Sequence, residues 1–579
     1  MGSEEVDVQW LVAIPLRDGV CLSGSVYTPV ECRPGPAIVS LTPYTADHLH
    51  ERAMYFARHG FAFVAVDVRG RGNSGGTFRP LIQEAQDGHD VVEWVARQPF
   101  CDGRVGMYGG SYLGYAQWVT AAKFPPHLVT IAPTAAPFAG IDVPMRNNIF
   151  SPYYSYWLTT LSGKVAQLRS SSDESLWKEK YRSWFESGRS IRDVDVVFGN
   201  PSNTFQEWLG HPELGPYWDS YNPTERAYSQ LHIPILTITG AYDGDQPGAL
   251  EHYRRHMRHA TRDARARHFL VIGPWNHVGC ALPCAEFEGL KIGAAGVLDM
   301  YDLHVEWYSW TMQNGPRPRL LCANVVYYVT GAEEWHYANS LEEVTAGTDP
   351  LYFQSFNNPT DIFASGSLAA QPQVDARPDC YVYDPRDVTC AKAESRLNSE
   401  MYLVDQTMIH ELRGRRLIYH SGPLEQDTEI SGFFKVIAWI SIDQPCTDLR
   451  IWVHEIDLKG DSVLLSVDSL RARYRESTYE ALPIRTLEPL RFQFDHFTFV
   501  SRLIKKGHRL RVIIGPINSI YEQKNYNSGN RVADESIEDA RTVTVKLFHD
   551  ADHPSAIYVP IGSSKCKSPP SKPDLGNLS

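Results

Sequence analysis

The chain has 579 residues, of which 43% are hydrophobic and 12% aromatic, and its formal net charge at pH 7 is −13. This length and apolar content suit two or three folded domains. Because the balance is acidic and lysine and arginine are scattered, the sequence favours neither nucleic acid nor an anionic membrane as a partner.

The N-terminal residues show no targeting pattern. Met1–Val6 is acidic and has no apolar core, and no apolar run in the chain reaches the roughly 20 residues that a membrane span needs. The cysteines are thinly spread, which suits reduced thiols, and the close pair Cys280 and Cys284 lacks the second pair of ligands of a structural zinc site. We therefore expect a cytoplasmic protein without a metal or other cofactor.

Strands and helices alternate through the first part of the chain. Short strands are predicted from about Trp10 to Val30. Near-continuous apolar strands follow at residues 37–42 and 61–67, and further ones end at Tyr108, Ala132, Thr239 and Ile272. Helical spacing marks residues 49–59, 86–97 and 112–123. This alternation predicts an α/β architecture with a parallel, doubly wound sheet that is covered on both faces.

Residues 144–229 interrupt the alternation with helical, aromatic-rich sequence. An insertion between strands of such a sheet is predicted to lie over its carboxyl edge as a cap or lid. Most of its aromatic residues are expected to form the core of the insertion, and Tyr154 and Trp157 are candidate substrate-binding residues.

The sequence pattern changes after about Pro318, where short strand-like runs alternate with Gly, Pro, Asn and Asp. Such a pattern predicts an antiparallel β-sandwich or jelly roll. The predicted domains are therefore a catalytic α/β domain (1–143 and 230–318), a helical cap (144–229), a β-sandwich domain (319–562) and a disordered tail (563–579).

Three residues that each follow an apolar strand have the order of a catalytic triad. Ser111 lies in the glycine-flanked turn Gly109-Gly110-Ser111-Tyr112-Leu113-Gly114, Asp243 ends the run that starts at Ile235, and His277 follows the run that starts at His268. A serine hydroxyl needs a base, and the base needs an orienting acid. The order Ser, Asp, His is that of α/β-hydrolases, whereas a helix-capping serine, a turn aspartate and a loop histidine do not explain the joint pattern.

An acyl-transfer site also needs donors for the oxyanion. The backbone N–H of Tyr112, at the start of the predicted helix, is one candidate. Tyr44, in the loop after the strand at 37–42, is the second, through its phenol; the alternative for Tyr44 is simple packing beside a turn.

Two other motifs resemble binding sites but do not predict them. The run Gly70–Gly75 fits a dinucleotide fingerprint, yet Gly76, Thr77 and Pro80 stand where a phosphate-binding helix should begin, which favours a tight structural loop. His252, His256 and His259 share a helical face, but the glutamate of a zinc-binding helix is absent, so a solvated basic face is expected.

These motifs together resemble the CocE/NonD acyl hydrolases, a group that includes X-Pro dipeptidyl-peptidases. The similarity covers nearly the whole chain and is carried by Asp67–Gly76, Gly109–Gly114, Tyr242-Asp243, Gly273–His277, and landmarks at 328–335, 507–511, 525–529 and 554–561. The resemblance implies Ser111 as nucleophile, His277 as base and Asp243 as its orienting acid. It also implies an oxyanion hole made by Tyr44 and Tyr112.

The resemblance also bears on the substrate. Asp245 stands where amino-ester hydrolases of the group carry a carboxylate that holds a substrate ammonium, although Asp245-Gln246-Pro247 equally suits the start of a helix. The leading prediction is a serine hydrolase acting on an ester or amide of a small molecule through an acyl-enzyme.

Several alternatives remain open at this stage. They are an X-Pro dipeptidyl-peptidase or an aminoacyl ester or β-lactam acylase, a biosynthetic acyltransferase or cyclase, and a non-catalytic binding scaffold. Homo-oligomer formation and the role of the β-sandwich are left open too.

Overall fold

The computed structural model describes residues 5–30, 34–412 and 414–567. The strands of the first part are β1 (Val6–Pro15), β2 (Cys21–Pro29), β3 (Gly35–Thr42), β4 (Ala62–Asp67), β5 (Cys101–Gly110), β6 (Leu128–Thr134), β7 (Met145–Arg146), β8 (Ile149–Phe150), β9 (Ile235–Tyr242), β10 (His268–Asn276), β11 (Glu286–Phe287), β12 (Leu290–Lys291), β13 (Val325–Val329) and β14 (Glu334–Ala338). Its helices are α1 (His50–Arg58), α2 (Glu84–Ala96), α3 (Tyr112–Ala121), α4 (Tyr153–Thr160), α5 (Leu168–Ser171), α6 (Glu174–Ser187), α7 (Val194–Phe198), α8 (Asn203–Leu209), α9 (Pro216–Asp219), α10 (Glu225–Gln230), α11 (Gln246–His259), α12 (Arg262–Arg265) and α13 (Met300–Gln313).

Ten of these strands form one sheet, in the order β1-β2-β4-β3-β5-β6-β9-β10-β13-β14. The strands from β4 to β13 in this order pair in parallel, and antiparallel pairs occur at both edges. All six residues of β4 are buried, so this strand is covered on both faces, as its continuous apolar run predicts. The α/β-hydrolase architecture expected from the sequence is confirmed.

The parallel arrangement positions the site. Carboxyl ends of parallel strands share one edge of a sheet, and loops at that edge carry the functional groups of such folds. Thr42, Gly110, Tyr242 and Asn276 are the last residues of β3, β5, β9 and β10. The residues that directly follow these strands are therefore neighbours in space although they are far apart in sequence.

The segment between β6 and β9 contains the hairpin β7–β8 and helices α4–α10. Trp177, Tyr181, Trp184 and Phe185 of α6 are buried, with at most 5% of each exposed, and form part of a hydrophobic core. Tyr153 of α4, in contrast, is 46% exposed and is not part of this buried core.

The C-terminal part is all-β apart from two short helices, α14 (Thr389–Glu394) and α15 (Thr407–Glu411). Its strands are β15 (Thr345–Gln354), β16 (Gly366–Ala369), β17 (Asp379–Tyr383), β18 (Leu417–Ser421), β19 (Thr428–Gly432), β20 (Lys435–Ile442), β21 (Asp448–Ile456), β22 (Ser462–Arg471), β23 (Leu490–Phe494), β24 (Val500–Ile504), β25 (Arg509–Pro516), β26 (Val543–Phe548) and β27 (Ala556–Gly562). They form a second, mostly antiparallel sheet system with its own core, which confirms the predicted all-β region.

The sheet topology differs from the expected start of this region at residue 319. Strand β13 pairs in parallel with β10, and β14 pairs with β13, so both complete the first sheet. An apolar strand gives no sign in its own sequence of which sheet it joins, because partner choice depends on residues distant in the chain. Of the predicted tail, Ser564–Lys567 forms a 3-10 turn, and residues 568–579 lie outside the described part.

The prediction of a solvated basic face on α11 was wrong for two of its three histidines. His252 and His256 are both fully buried, and the ring of His252 stacks on Trp118 at 4.9 Å. His252 Nδ1 lies 2.7 Å from the Tyr228 hydroxyl, and His256 Nδ1 lies 3.0 Å from His268 Nδ1. Side-chain and backbone partners therefore replace water, which lets this helix face pack in the core. In the described chain, no helix is both long and apolar enough for a membrane span.

Candidate active site

Ser111 lies in a sharp turn between β5 and α3. Its backbone φ of 56° and ψ of −126° place it in a region that few non-glycine residues adopt. Gly109 and Gly114 permit the turn, because a Cβ on Gly109 would lie 2.4 Å from Leu113 Cβ and one on Gly114 would lie 2.8 Å from the Thr134 carbonyl oxygen. Within the described chain the Ser111 hydroxyl does not cap α3. The turn thus presents the hydroxyl at the carboxyl edge of the sheet.

His277 and Asp243 form a hydrogen-bonded pair beside this turn. His277 Nδ1 donates to Asp243 Oδ1 at 2.8 Å, which leaves Nε2 of the ring to face other partners. Asp243 is 2% exposed, and its carboxylate also accepts from the Asp245 backbone N–H at 3.0 Å and the Thr239 hydroxyl at 2.9 Å. Several donors therefore fix the carboxylate that orients the imidazole.

Cys280, one of the close cysteine pair, belongs to the same cluster. Its buried thiol lies 3.7 Å from Asp243 Oδ2, whereas Cys284 is exposed and donates to the Glu286 carbonyl oxygen. Among the described residues no group of three or more His, Cys, Asp or Glu side chains could hold a metal ion.

A cavity of about 340 Å³ opens between the sheet edge and α4. It is lined by Tyr44, Leu81, Ser111, Tyr112, Pro137, Val143, Tyr153, Tyr154, Trp157, Gly244, Asp245 and His277. Seven of the eight residues that the sequence singled out line this cavity, and Asp243 is bonded directly to His277 behind it. The sequence did not single out Tyr153, although it lies in the same aromatic run as Tyr154.

The phenol of Tyr44 has a defined hydrogen-bond direction. Trp157 Nε1 donates to its oxygen at 3.1 Å. Because an indole N–H can only donate, the Tyr44 hydroxyl proton is free to point to another acceptor. Burial raises the pKa of Tyr44 to about 12, so the phenol keeps its proton at neutral pH. Tyr44 can therefore serve as a neutral donor in the cavity.

Tyr112 contributes to the cavity in a different way. It is the first residue of α3, so its N–H is among the backbone donors that a helix leaves unpaired at its start. Its phenol points away from the cavity: it donates to Glu84 and accepts from the Leu81 N–H at 3.1 Å. Burial raises the pKa of Glu84 to about 7. Hydrogen bonds to Glu84 and Leu81 therefore fix the Tyr112 ring, while the Tyr112 backbone N–H stays at the turn beside Ser111.

Arg71 joins the loop of Tyr44 to the segment that follows α4. The side chain is fully buried; it donates to the Pro43 carbonyl at 2.7 Å and to the carbonyls of Leu161 and Gly163, just beyond α4. The predicted tight loop at 70–75 therefore carries the side chain that connects the loop of Tyr44 with the end of the helix that contains Trp157. In the sequence, Arg71 is visible only as an arginine inside a glycine-rich turn. Its hydrogen-bond acceptors could not be predicted from the sequence, because they are backbone carbonyl groups, which every residue has.

Asp245 is at the N-cap position of α11, yet within the described chain its carboxylate makes no cap bond. Instead it lines the cavity, with Oδ2 3.8 Å from His277 Nδ1. Burial raises the pKa of Asp245, the Asp243 charge raises it further, and His277 opposes both. Burial of His277 disfavours its charged form, but attraction to Asp245 and Asp243 outweighs this and raises the pKa of His277.

Asp142 adds a second buried carboxyl behind Asp245. It accepts the N–H of Phe138 at 2.8 Å and that of Gly248 at 2.6 Å, and burial raises its pKa well above the usual value, with the Asp245 charge as a further cause. Its contact with the first turn of α11 joins residues more than a hundred positions apart, so the sequence contained no local sign of it. The acidic wall of the cavity is therefore formed by Asp245, with Asp142 behind it rather than among the lining residues.

Comparisons with known proteins identify the family of this chain. Residues 18–279 match the sequence model of the X-Pro dipeptidyl-peptidase (S15 family), and residues 322–548 match that of the X-Pro dipeptidyl-peptidase C-terminal non-catalytic domain. Cocaine esterase from Rhodococcus sp. (strain MB1 Bresler) is 26% identical over 583 residues, covering 95% of this chain and 98% of that protein. This chain belongs to the CocE/NonD group of the S15 family.

Two solved structures share the fold of this CocE/NonD protein. An α-amino acid ester hydrolase superposes with a TM-score of 0.82 at 21% identity, covering 97% of both chains. An aminopeptidase from a marine sediment Thaumarchaeota archaeon gives a TM-score of 0.81 at 19% identity, covering 96% of this chain and 97% of that one. Family membership makes this chain a serine hydrolase of the kind that includes esterases and peptidases.

Proposed function

We propose that this protein hydrolyses a carboxylic ester or amide of a small molecule through an acyl-enzyme on Ser111. His277 Nε2 takes the Ser111 proton as Oγ attacks the carbonyl carbon, and Asp243 stabilises the imidazolium. The Tyr44 hydroxyl and the Tyr112 N–H donate to the oxyanion. The leaving group takes the proton from His277, and water then releases the acid by the same steps.

One observation carries this proposal. The Asp243–His277 pair, at 2.8 Å, and the strained turn of Ser111 meet at one cavity that also holds a phenol donor. A binding scaffold has no need of a constrained serine beside an oriented imidazole, since both features serve nucleophilic catalysis.

Fluorophosphonate labelling and turnover of p-nitrophenyl acetate test the proposal together. We expect stoichiometric labelling and steady turnover, both lost in Ser111→Ala. A stoichiometric burst without turnover would favour an acyltransferase that awaits another acceptor. A folded protein that neither labels nor turns over would contradict the proposal and favour a binding scaffold.

We further propose that the acyl group carries an amine, held by Asp245. The carboxylate faces the cavity beside Ser111, and an ammonium group bound there would offset the burial that raises the pKa of Asp245. The α-amino acid ester hydrolase that shares the fold is named for substrates of this class. A bound ammonium would also reduce the attraction that keeps His277 protonated, which assists its role as base.

A matched pair of esters tests this choice. The p-nitrophenyl esters of phenylalanine and of 3-phenylpropanoic acid differ only in the amine. We expect Asp245→Asn to raise KM for the first by about tenfold, the magnitude of a lost charged hydrogen bond, and to leave KM for the second unchanged. Equal losses on both esters would contradict an ammonium site. An X-Pro anilide in the same panel tests the peptidase alternative.

A further inference from the structure

A second cavity, of about 580 Å³, adjoins the catalytic one, and Tyr153 lines both. We call it the outer cavity. It is lined by Tyr153, Tyr156, Ser171, Ser172, Glu174, Trp177, Lys178, Tyr181, Glu288, Glu394, Leu397, Ser399, Tyr402 and Tyr521. These residues come from the segment that spans α4 to α6, from the β11–β12 hairpin, and from the C-terminal all-β region, so three separate parts of the chain enclose it.

Aromatic rings dominate its walls. Tyr156 and Trp177 meet edge to face at 4.5 Å, and Tyr181 and Tyr521 do so at 5.0 Å. Tyr153 lies 5.5 Å from Tyr156 and 5.3 Å from Tyr154, which lines the catalytic cavity, so one line of rings connects the two spaces. Rings arranged edge to face present both faces and edges to an inserted planar group.

The charged side chains at the rim are engaged by the protein itself. Lys178 pairs with Glu174 at 2.8 Å and donates to the Leu397 carbonyl at 2.9 Å. Glu394 accepts from the Ser519 hydroxyl and the Ile520 N–H, both at 2.7 Å. Glu288 accepts from Asn276, the residue before His277, at 3.0 Å. The outer cavity therefore offers apolar ring surface rather than an unpaired cation or a phosphate site.

We propose that the outer cavity binds a large planar aromatic leaving group while the scissile carbonyl lies at Ser111. This inference rests on the proposed function, in which the acidic wall at Asp245 takes the acyl side and leaves the outer cavity for the alcohol or amine. Binding there would stabilise acylation and have no effect on deacylation, because the leaving group has departed by then.

Acetates of phenol, 2-naphthol and pyren-1-ol test the proposal, since they share the acyl group and grow only in the planar leaving group. We expect kcat/KM to rise at least about tenfold from phenyl to pyrenyl acetate, the effect of added ring contacts. Leu397→Trp, which fills the cavity, and Tyr402→Ala, which removes a wall, should abolish the rise, so that pyrenyl acetate loses its advantage over phenyl acetate. Tyr479→Ala is the control, because Tyr479 is 57% exposed, similar to the 52% of Tyr402, and lines a different cavity.

Binding without catalysis provides the second readout. Pyren-1-ol fluorescence titrated with Ser111→Ala should saturate, and Leu397→Trp in that background should weaken binding about tenfold. Hydrolysis of phenyl acetate without a preference for pyrenyl acetate would overturn the outer-cavity assignment and leave the proposed function intact. Saturable pyren-1-ol binding by a protein that shows no turnover would support the cavity and contradict the proposed function. A deacylation rate altered by Tyr402→Ala would place the acyl group there instead and overturn the proposal.

Discussion

Replacing Asp245 by asparagine should shift the pH at which His277 works as a base. The nearest atoms of the two side chains, Oδ2 and Nδ1, are 3.8 Å apart, and His277 is 41% exposed. At this distance two unit charges screened by water interact by about 1 kcal/mol, and the exposure of His277 calls for this screened value. Because the Asp245 charge favours the imidazolium, its removal lowers the pKa of His277, by about one pH unit.

The assay is the pH profile of kcat/KM on a neutral ester such as phenyl acetate. In the proposed mechanism His277 must be neutral to act as a base, so activity is expected to fall as pH falls through the pKa of His277. We expect the acid limb of Asp245→Asn to lie about one unit below that of the wild type. Asp495→Asn is the control, because Asp495 is a partly exposed carboxylate that lines another cavity. An acid limb that stays in place, or moves to higher pH, would refute the assigned coupling between Asp245 and the base.

Three further outcomes follow from other contacts. Tyr44→Phe should lower kcat by about 10²- to 10³-fold with little change in KM, the usual cost of one oxyanion donor, and a loss below threefold would remove Tyr44 from that role. Arg71→Met should lower kcat as well, but add little in a Tyr44→Phe background if it acts by placing Tyr44; additive losses in the double variant would contradict this. Burial lowers the pKa of His256 to about 4. Below about pH 6.5 this histidine therefore binds a proton in the unfolded chain but not in the folded chain. As pH decreases in this range, the free energy of unfolding decreases by up to about 1.4 kcal/mol per pH unit. The free-energy deficit of His256→Gln relative to the wild type should therefore shrink between pH 7 and pH 5 in denaturant titrations, whereas a constant deficit would mean that His256 does not titrate on unfolding.

The sequence predicted the fold well where periodicity and strand order are local. The apolar strands and the order of Ser111, Asp243 and His277 follow from patterns within about ten residues each, and parallel topology then brings them to one edge. The same reasoning placed Tyr44 and Trp157 in the site but could not predict that one donates to the other, because their contact spans more than a hundred residues.

The wrong prediction for α11 has a clear physical origin. Histidines at helical spacing give the same sequence pattern whether that helix face is exposed to solvent or buried. Burial depends on hydrogen-bond partners from other elements of the fold. Tyr228 and the Pro137 carbonyl provide these partners for His252. The acidic wall was missed in part for the same reason, since Asp142 meets the first turn of α11 only in the folded chain.

Strands β13 and β14 connect the two regions that the family models separate. By sequence, both lie within residues 322–548, but by hydrogen bonding they extend the sheet whose loops line the candidate active site. A fragment ending at residue 318 would expose the outer edge of β10, where Leu270–Ile272 pairs with β13 in the whole chain. Open strand edges recruit other strands, so such a fragment should self-associate. If two relatives exchanged their C-terminal regions at that boundary, β13 and β14 would come from one protein and the rest of the first sheet from the other. The pairing between β10 and β13 therefore restricts such exchange.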